Sequence, residues 1–266
     1  MHKKFYHSDT MVLRRLQQGM ALVAFFVFIM ATPIFAADAP SLKICLLSGS
    51  AEYDSEKSLS EFQTYLESRY QVTCYRAFGK DKGDSLPGLD ALEKSDLMVV
   101  FTRRIKLPQE QLTLIRKHLN AGRAVIGIRT ASHAFENFPE FDKEVLGGGY
   151  KGHHSDDPAE VQISAGRSEN SLMAGVKPFP TRKLYKNAAI SDDALVLLDA
   201  STPAYREPVA WIRQFHGSRI FYTSLGVPED FAQESFRRLL ANAVFWTTRR
   251  DEATLRRDPN PARNVR

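Results

Sequence analysis

The stretch GIRTASHAFENFPEFDKEVLGGGYKGHH, residues 127–154, holds His133 near its start and His153 and His154 at its close. Neutral imidazole is the commonest metal ligand and also the usual acid or base near neutral pH. His133, His153 and His154 are therefore the candidate catalytic residues. His133 and His154 are in addition candidates for holding a divalent metal such as zinc, although the spacing matches no signature of the His-Glu-x-x-His kind. Glu52, Asp54, Asp156 and Asp157 are available to complete a metal site, and each equally suits a solvated loop. A plain reading of the histidines as polar loop residues stands beside the catalytic one.

The same stretch begins with an apolar run, Ala124-Val125-Ile126, that leads into Gly127-Ile128-Arg129-Thr130-Ala131-Ser132. A strand entering a tight turn and then a helix is how several α/β enzymes present a nucleophile. Here no cysteine occupies the turn, and Gly-x-Ser-x-Gly is not matched. A cysteine-type amidotransferase is excluded and a serine hydrolase is disfavoured. Ser132 reads instead as a helix N-cap or a polar contact to substrate, with Glu136 one place beyond the capping-box position. Arg129 and Thr130 are placed to orient an oxygen-rich substrate. Gly147 suits the stop of a helix over PEFDKEVL, and Gly148 and Gly149 suit tight or positive-φ turns before Tyr150.

These residues need a frame, and residues 42–128 supply one by alternating strand-like and helix-like segments. LKICLL, QVTCYRAF, DLMVVF and RAVIGI read as strands of a largely parallel sheet, with near-continuous apolar runs as expected of strands covered on both faces. Leu59, Phe62, Tyr65 and Leu66 fall at helical spacing, as do Leu112, Ile115 and Leu119 after Pro108 and before Gly122. After residue 154 shorter β-like segments follow: AEVQIS, KLYKNAAI, ALVLLDA, PVAWIRQF and RIFYTSL. WIRQFHGSRIFYTS reads as an antiparallel hairpin with a Gly-Ser turn, with His216 structural. A last helix is expected from about Ala232, burying Phe236, Leu239, Leu240 and Ala243, with an i,i+4 pair between Glu234 and Arg238. The fold class is thus α/β and flavodoxin-like, with helices on both faces of a central sheet and additional antiparallel strands.

In such sheets ligands bind beyond the carboxyl ends of the strands. That rule adds Ser48, Glu52 and Tyr53 from the first loop and Arg103 from the third to Arg129, Thr130, Ser132 and Tyr150 as candidate substrate-binding residues. Arg103 and Arg104 can hold a carboxylate or a polar sugar edge, and Tyr185 and Asn187 can reach a polyol or serve in packing.

The 266 residues open with Lys3, Lys4, Arg14 and Arg15, an apolar run from Met20 to Phe35, and small residues after it. That is the layout of an export signal over residues 1–36, so a periplasmic or secreted location is expected, with membrane contact only if the segment is retained as an anchor. It carries four basic residues and one acidic, so without it the formal charge of +5 falls by three. Residues 249–266 hold six arginines against three acids and read as a flexible basic tail. The body between, residues 37–248, is near neutral and reads as one domain; it shows no basic face for nucleic acid. Cys45 and Cys74 fall in neighbouring strands and read as buried free thiols.

Several segments together resemble the ThuA-like (trehalose-utilisation) family: LLSGSAEYDSEKSLSEFQTYLE, FTRRIKLPQEQL, VIGIRTASHAFENFPEFDKEVLGGGYKGHH and PVAWIRQFHGSRIFYTSLGVPEDFAQESFRRLLANAVFW. The likeness runs over residues 42–248. It implies a class I glutamine amidotransferase-like fold without the cysteine nucleophile, and a role in carbohydrate metabolism with oxidised (keto) disaccharides or glycosides as substrates. Histidine-bound metal is compatible with it. Many relatives carry histidine where this chain has Arg129 and Val227, so two histidines of the expected site are replaced. A carbohydrate-processing hydrolase, lyase or isomerase is the leading expectation, and a non-catalytic sugar- or partner-binding domain is the alternative.

Overall fold

The computed structural model describes residues 41–187 and 189–257. The expected export signal and residues 258–266 of the expected tail lie outside the described residues. The first half forms strands β1 (Leu42–Gly49), β2 (Val72–Phe78), β3 (Leu97–Thr102) and β4 (Ala124–Ile128), with helices α1 (Ser55–Arg69) and α2 (Gln109–Asn120) between them. Strands β5 (Tyr150–His153), β6 (Pro158–Ile163), β7 (Phe179–Arg182), β8 (Tyr185–Asn187), β9 (Leu195–Ser201), β10 (Arg206–Phe215) and β11 (Ser218–Thr223) follow. The chain then forms α3 (Pro228–Ala232), α4 (Glu234–Thr248) and α5 (Glu252–Leu255).

Nine strands make one sheet in the order β2-β1-β3-β4-β11-β10-β9-β6-β7, and β5 pairs with β8 as a separate antiparallel ribbon. The strands β2, β1, β3, β4 and β11 are mutually parallel, and β10, β9, β6 and β7 extend them antiparallel. This is a flavodoxin-like α/β sheet with an antiparallel extension. Its strand order reverses between β1 and β3, which is where such sheets open a crevice at their carboxyl edge.

The apolar runs alternate in destination. Leu42, Ile44, Leu46, Val99, Phe101 and Ile126 pack with α1 and α4, whereas Cys45, Leu47, Met98, Val100 and Val125 pack with α2 on the opposite face. Two-sided burial is the physical reason for strands without polar alternation. The thiols of Cys45 and Cys74 are free, and burial pushes that of Cys45 up to about 12.

Five expectations about local structure are corrected. The stretch Phe141–Leu146 is one π-helical turn, ended by Gly147 at φ 71°. The carbonyls of its last turn are met by Arg213, whose Nη1 donates to Glu144 O at 2.6 Å, and by Trp211 Nε1, which donates to Leu146 O. Among the described residues of KLYKNAAI, only Tyr185–Asn187 is strand. The β10–β11 hairpin turns at His216 and Gly217, both at positive φ, rather than at Gly-Ser. Arg238 pairs with Glu252 at 2.6 Å instead of with Glu234. Finally, the chain packs beyond residue 248: α5 buries Leu255 completely, and Arg257 Nε donates to the carbonyls of Glu67 and Tyr70. No described helix is long and apolar enough to cross a membrane.

Candidate functional site

The loops after β1, β3 and β4 meet at the carboxyl edge of the sheet. The chain leaves β4 with Arg129 at φ 46° and turns through a 3₁₀ segment, Arg129–His133. A side-chain-bearing residue in that backbone region is uncommon and marks a turn held by its surroundings. Here Tyr222 holds it, donating its hydroxyl to Arg129 O at 2.8 Å. Ser132 is not an N-cap: its hydroxyl donates back to Arg129 O at 3.3 Å and meets His133 Nδ1 at 3.0 Å. The Ser132 hydroxyl can bond Nδ1 as donor or as acceptor, so it holds the ring's orientation and leaves Nε2 as the nitrogen not engaged by it.

His133 stacks on Tyr150, ring centroids 4.7 Å apart, and Tyr150 in turn lies 4.6 Å from Tyr185. Both tyrosines come from the β5–β8 ribbon, where Tyr150 pairs with Asn187. Burial lowers the His133 pKa to about 4, helped by the positive charges of Arg104 and Arg103 and opposed by Glu52. The ring is therefore neutral at pH 7.

A residue absent from the sequence expectations joins it. Asp142, on the π-turn, lines a cleft of about 480 Å³ with Ser132, His133 and Tyr150. Its Oδ2 accepts the Tyr150 N–H at 3.0 Å, while its buried Oδ1 has no partner among the described residues. Burial raises this carboxyl to about 6, against the bond from Tyr150 N–H and the charge of Lys151. Gly148 lets the backbone close over this carboxyl: a Cβ there would meet Asp142 Oδ1 and force that side chain to shift. Gly148 is not at positive φ, so its role is close approach, not the turn expected of it. The sequence signal for Asp142 was a carboxylate inside a helix-like stretch just before three glycines, which by itself does not show burial.

The other candidates divide. His154 lies apart from His133: its Nε2 meets Glu207 Oε1 at 2.7 Å and its ring stacks on Tyr205 at 3.7 Å. Glu207 also accepts the Asn187 N–H, so His154 helps tie the ribbon to β10. His153 is exposed, bonded only through Nδ1 to His154 O. Asp156 is held by Arg182 through two bonds of 2.6 Å, and Asp157 by Ser155 and Tyr205. Among the described residues no three His, Cys, Asp or Glu side chains gather as a metal site. The donor set does not fit the zinc expectation, because His133 and His154 are each engaged by different neighbours.

Ser48 is buried and bonded to Ser55 Oγ, which also accepts the Gly49 and Ser50 N–H groups, so it shapes the first loop from beneath. Thr130 is fully buried and Tyr53 nearly so. Glu52 and Asp81 both pair with Arg103, at 3.4 and 3.3 Å. Arg129 does not reach into open solvent. It is 1% exposed, its Nη1 and Nη2 donate to Ser224 O and Lys183 O at 2.8 and 2.9 Å, and its guanidinium carbon lies 4.0 Å from the Tyr53 ring centre and 4.5 Å from that of Tyr185. It braces the aromatic wall from behind. The loop that carries Val227 is its neighbour, since a Cβ on Gly226 would stand 3.4 Å from Arg129 Cβ. The two positions that depart from the resembling family thus lie side by side.

The fold and site define a flavodoxin-like α/β domain with one imidazole, a buried carboxyl and a tyrosine wall at the carboxyl edge of its parallel strands. Residues 45–247 match the family described as ThuA, trehalose utilisation, and the chain belongs to that family. No curated protein matches the chain. Among solved structures it is similar to a ThuA-like protein from Bacteroides uniformis ATCC 8492 (17% identity, TM-score 0.61, 81% of this chain and 95% of that one). It is also similar to a ThuA-like protein from Parabacteroides merdae ATCC 43184 (15%, 0.62, 78% and 90%). A β-galactosidase from Rahnella sp. R3 shares the fold at 13% identity and TM-score 0.55, over 79% of this chain and 32% of that enzyme.

Proposed function

We propose that this is an exported enzyme of carbohydrate metabolism that moves protons on a sugar or an oxidised (keto) disaccharide or glycoside at His133. The observation that carries the reading is the His133 ring itself: neutral, held on one edge by Ser132, stacked on Tyr150, and sharing a cleft with the raised carboxyl of Asp142. Two titratable groups pushed from their ordinary values in one cleft are the pattern of an acid and base pair. Asp142, the more basic of the two near neutral pH, is suited to take a proton from a carbon or hydroxyl made acidic by a neighbouring carbonyl, and the neutral His133 imidazole to hydrogen-bond that oxygen and relay the proton. The tyrosine faces suit the apolar face of a sugar ring, with hydroxyls nearby for its edge. Support for carbohydrate as the substrate class comes from the family's description, trehalose utilisation.

The test is product formation from a panel of glucosides and their keto derivatives, followed by NMR. His133→Ala and Asp142→Asn should each abolish most turnover. A sugar-binding domain without turnover is the second reading, favoured by the fact that only one of the three candidate histidines lines the cleft. It predicts saturable binding with no product.

A further inference from the structure

Resting on the carbohydrate reading above, we propose that the ligand is a sugar acid whose carboxylate is held by the guanidinium of Arg104 beside His133. Three arginines, Arg103, Arg104 and Arg129, stand close enough to His133 to bear on its charge. Arg103 is balanced by Glu52 and Asp81. Arg129 is buried on carbonyl oxygens and aromatic faces, with no carboxylate within ion-pair distance among the described residues and with its Nε unpartnered there. Arg104 has neither a side-chain hydrogen bond nor an ion pair among the described residues, and its side chain is exposed on the wall of a second cleft of about 490 Å³ that it shares with Ser132 and His133.

Its position is nonetheless fixed. Arg104 N donates to His133 O at 2.8 Å, Ile105 N donates to Ala134 O at 2.8 Å, and Ile105 bridges to Phe135. The backbone of Arg104 is in the left-handed region at φ 49°, where an arginine is seldom found. Backbone bonds therefore tie this free cation to the backbone of the catalytic candidate. Glu136 lines the same cleft but forms no ion pair with Arg104 among the described residues, so the guanidinium is left open to an anionic ligand. Guanidinium matches a carboxylate with two parallel bonds, a geometry that a neutral hydroxyl edge does not use.

The experiment is titration calorimetry of the purified chain with glucuronate, glucose, glucose 6-phosphate and acetate, on the wild type, Arg104→Ala and Arg104→Gly. Glycine suits the positive φ, so the second variant guards against loss of folding. The expected result is glucuronate binding at least tenfold tighter than glucose, with that margin lost in both variants while glucose binding stays measurable. Equal binding of glucose and glucuronate, or a margin that survives both variants, overturns the proposal. So does an Arg104-dependent preference for glucose 6-phosphate over glucuronate, which would assign the anion to a phosphate. Turnover of neutral glycosides through His133 with no charge preference would sink this inference and leave the carbohydrate reading intact. Arg104-dependent binding in which acetate equals glucuronate, with no sugar turned over, would overturn the sugar-acid ligand and the carbohydrate reading together, leaving only a bare anion site.

Discussion

His133 and Tyr150 stand ring to ring, 4.7 Å between centroids and 22° from parallel, with Ser132 Oγ 3.0 Å from Nδ1 on the imidazole's edge. A ring gripped in this way has its remaining nitrogen aimed by the fold and not by solvent. His133→Ala is expected to lower turnover by about 10² to 10⁴, the range for loss of a general acid or base. NMR titration of the imidazole should show a midpoint near 4. The midpoint should rise in Arg104→Gln, since that cation is the second cause of the shift after burial. A midpoint near 6.5 with unchanged turnover in the alanine variant would remove His133 from the mechanism.

Asp142 gives the opposite sign. Its carboxyl is raised from 3.8 to about 6 in the fold, so between those values the native state holds the proton more tightly than the unfolded chain. Stability from this group is present below about pH 4 and is lost as pH rises through about 6. Above that the cost is on the order of 3 kcal/mol. Asp142→Asn should therefore be more stable than the wild type at pH 7.5 and lose that advantage at pH 4, as read by urea unfolding at both values. The same variant should be poorer in turnover, a trade of activity for stability. Equal stability differences at both pH values would show that the carboxyl is not held protonated by burial.

The frame of the site was legible in the sequence because burial on both faces leaves uninterrupted apolar runs at β1, β3 and β4, and because Phe236, Leu239, Leu240 and Ala243 repeat at helical spacing on α4. The fate of individual charges was not. Arg129 bonds Lys183 and Ser224, which lie 54 and 95 residues further along, and no local pattern announces them. Arg238 had an obvious partner in Glu234 at helical spacing, yet Glu252 offers it two oxygens from α5. Asp142 looks like any polar helix residue until Gly148 folds over it. Periodicity records which face is buried, whereas ion pairing depends on tertiary neighbours that periodicity does not encode.

Arg129 is predicted to matter for stability before it matters for binding. Replacing it with methionine removes the donors to the buried Ser224 carbonyl and the part-buried Lys183 carbonyl, and the cation between Tyr53 and Tyr185. A loss of about 2 to 4 kcal/mol is expected in denaturant unfolding. Arg129→Lys should fall between, because an ammonium keeps the charge but not the planar fork that reaches both carbonyls. If methionine were tolerated within experimental error, the two carbonyl bonds would carry no net stability.

The segment after α4 behaves as part of the domain, and its removal should show it. Leu255 is fully buried against the main core, so Leu255→Ala is expected to cost about 2 to 3 kcal/mol. Beside it Glu252 accepts bonds from Arg238, Arg256 and Tyr70, and the bond from Arg238 is the main reason its carboxyl sits at about 2 instead of 4.5. A group with a depressed folded pKa contributes fully above about 4.5 and loses its contribution as pH falls towards 2. Because the cluster is partly open to solvent, Glu252→Gln should cost only about 1 kcal/mol at pH 7. That difference from the wild type should shrink on acidification and disappear near pH 2. A chain ended at Thr248 that unfolds at the same denaturant concentration as the full chain would return this segment to the status of a loose tail.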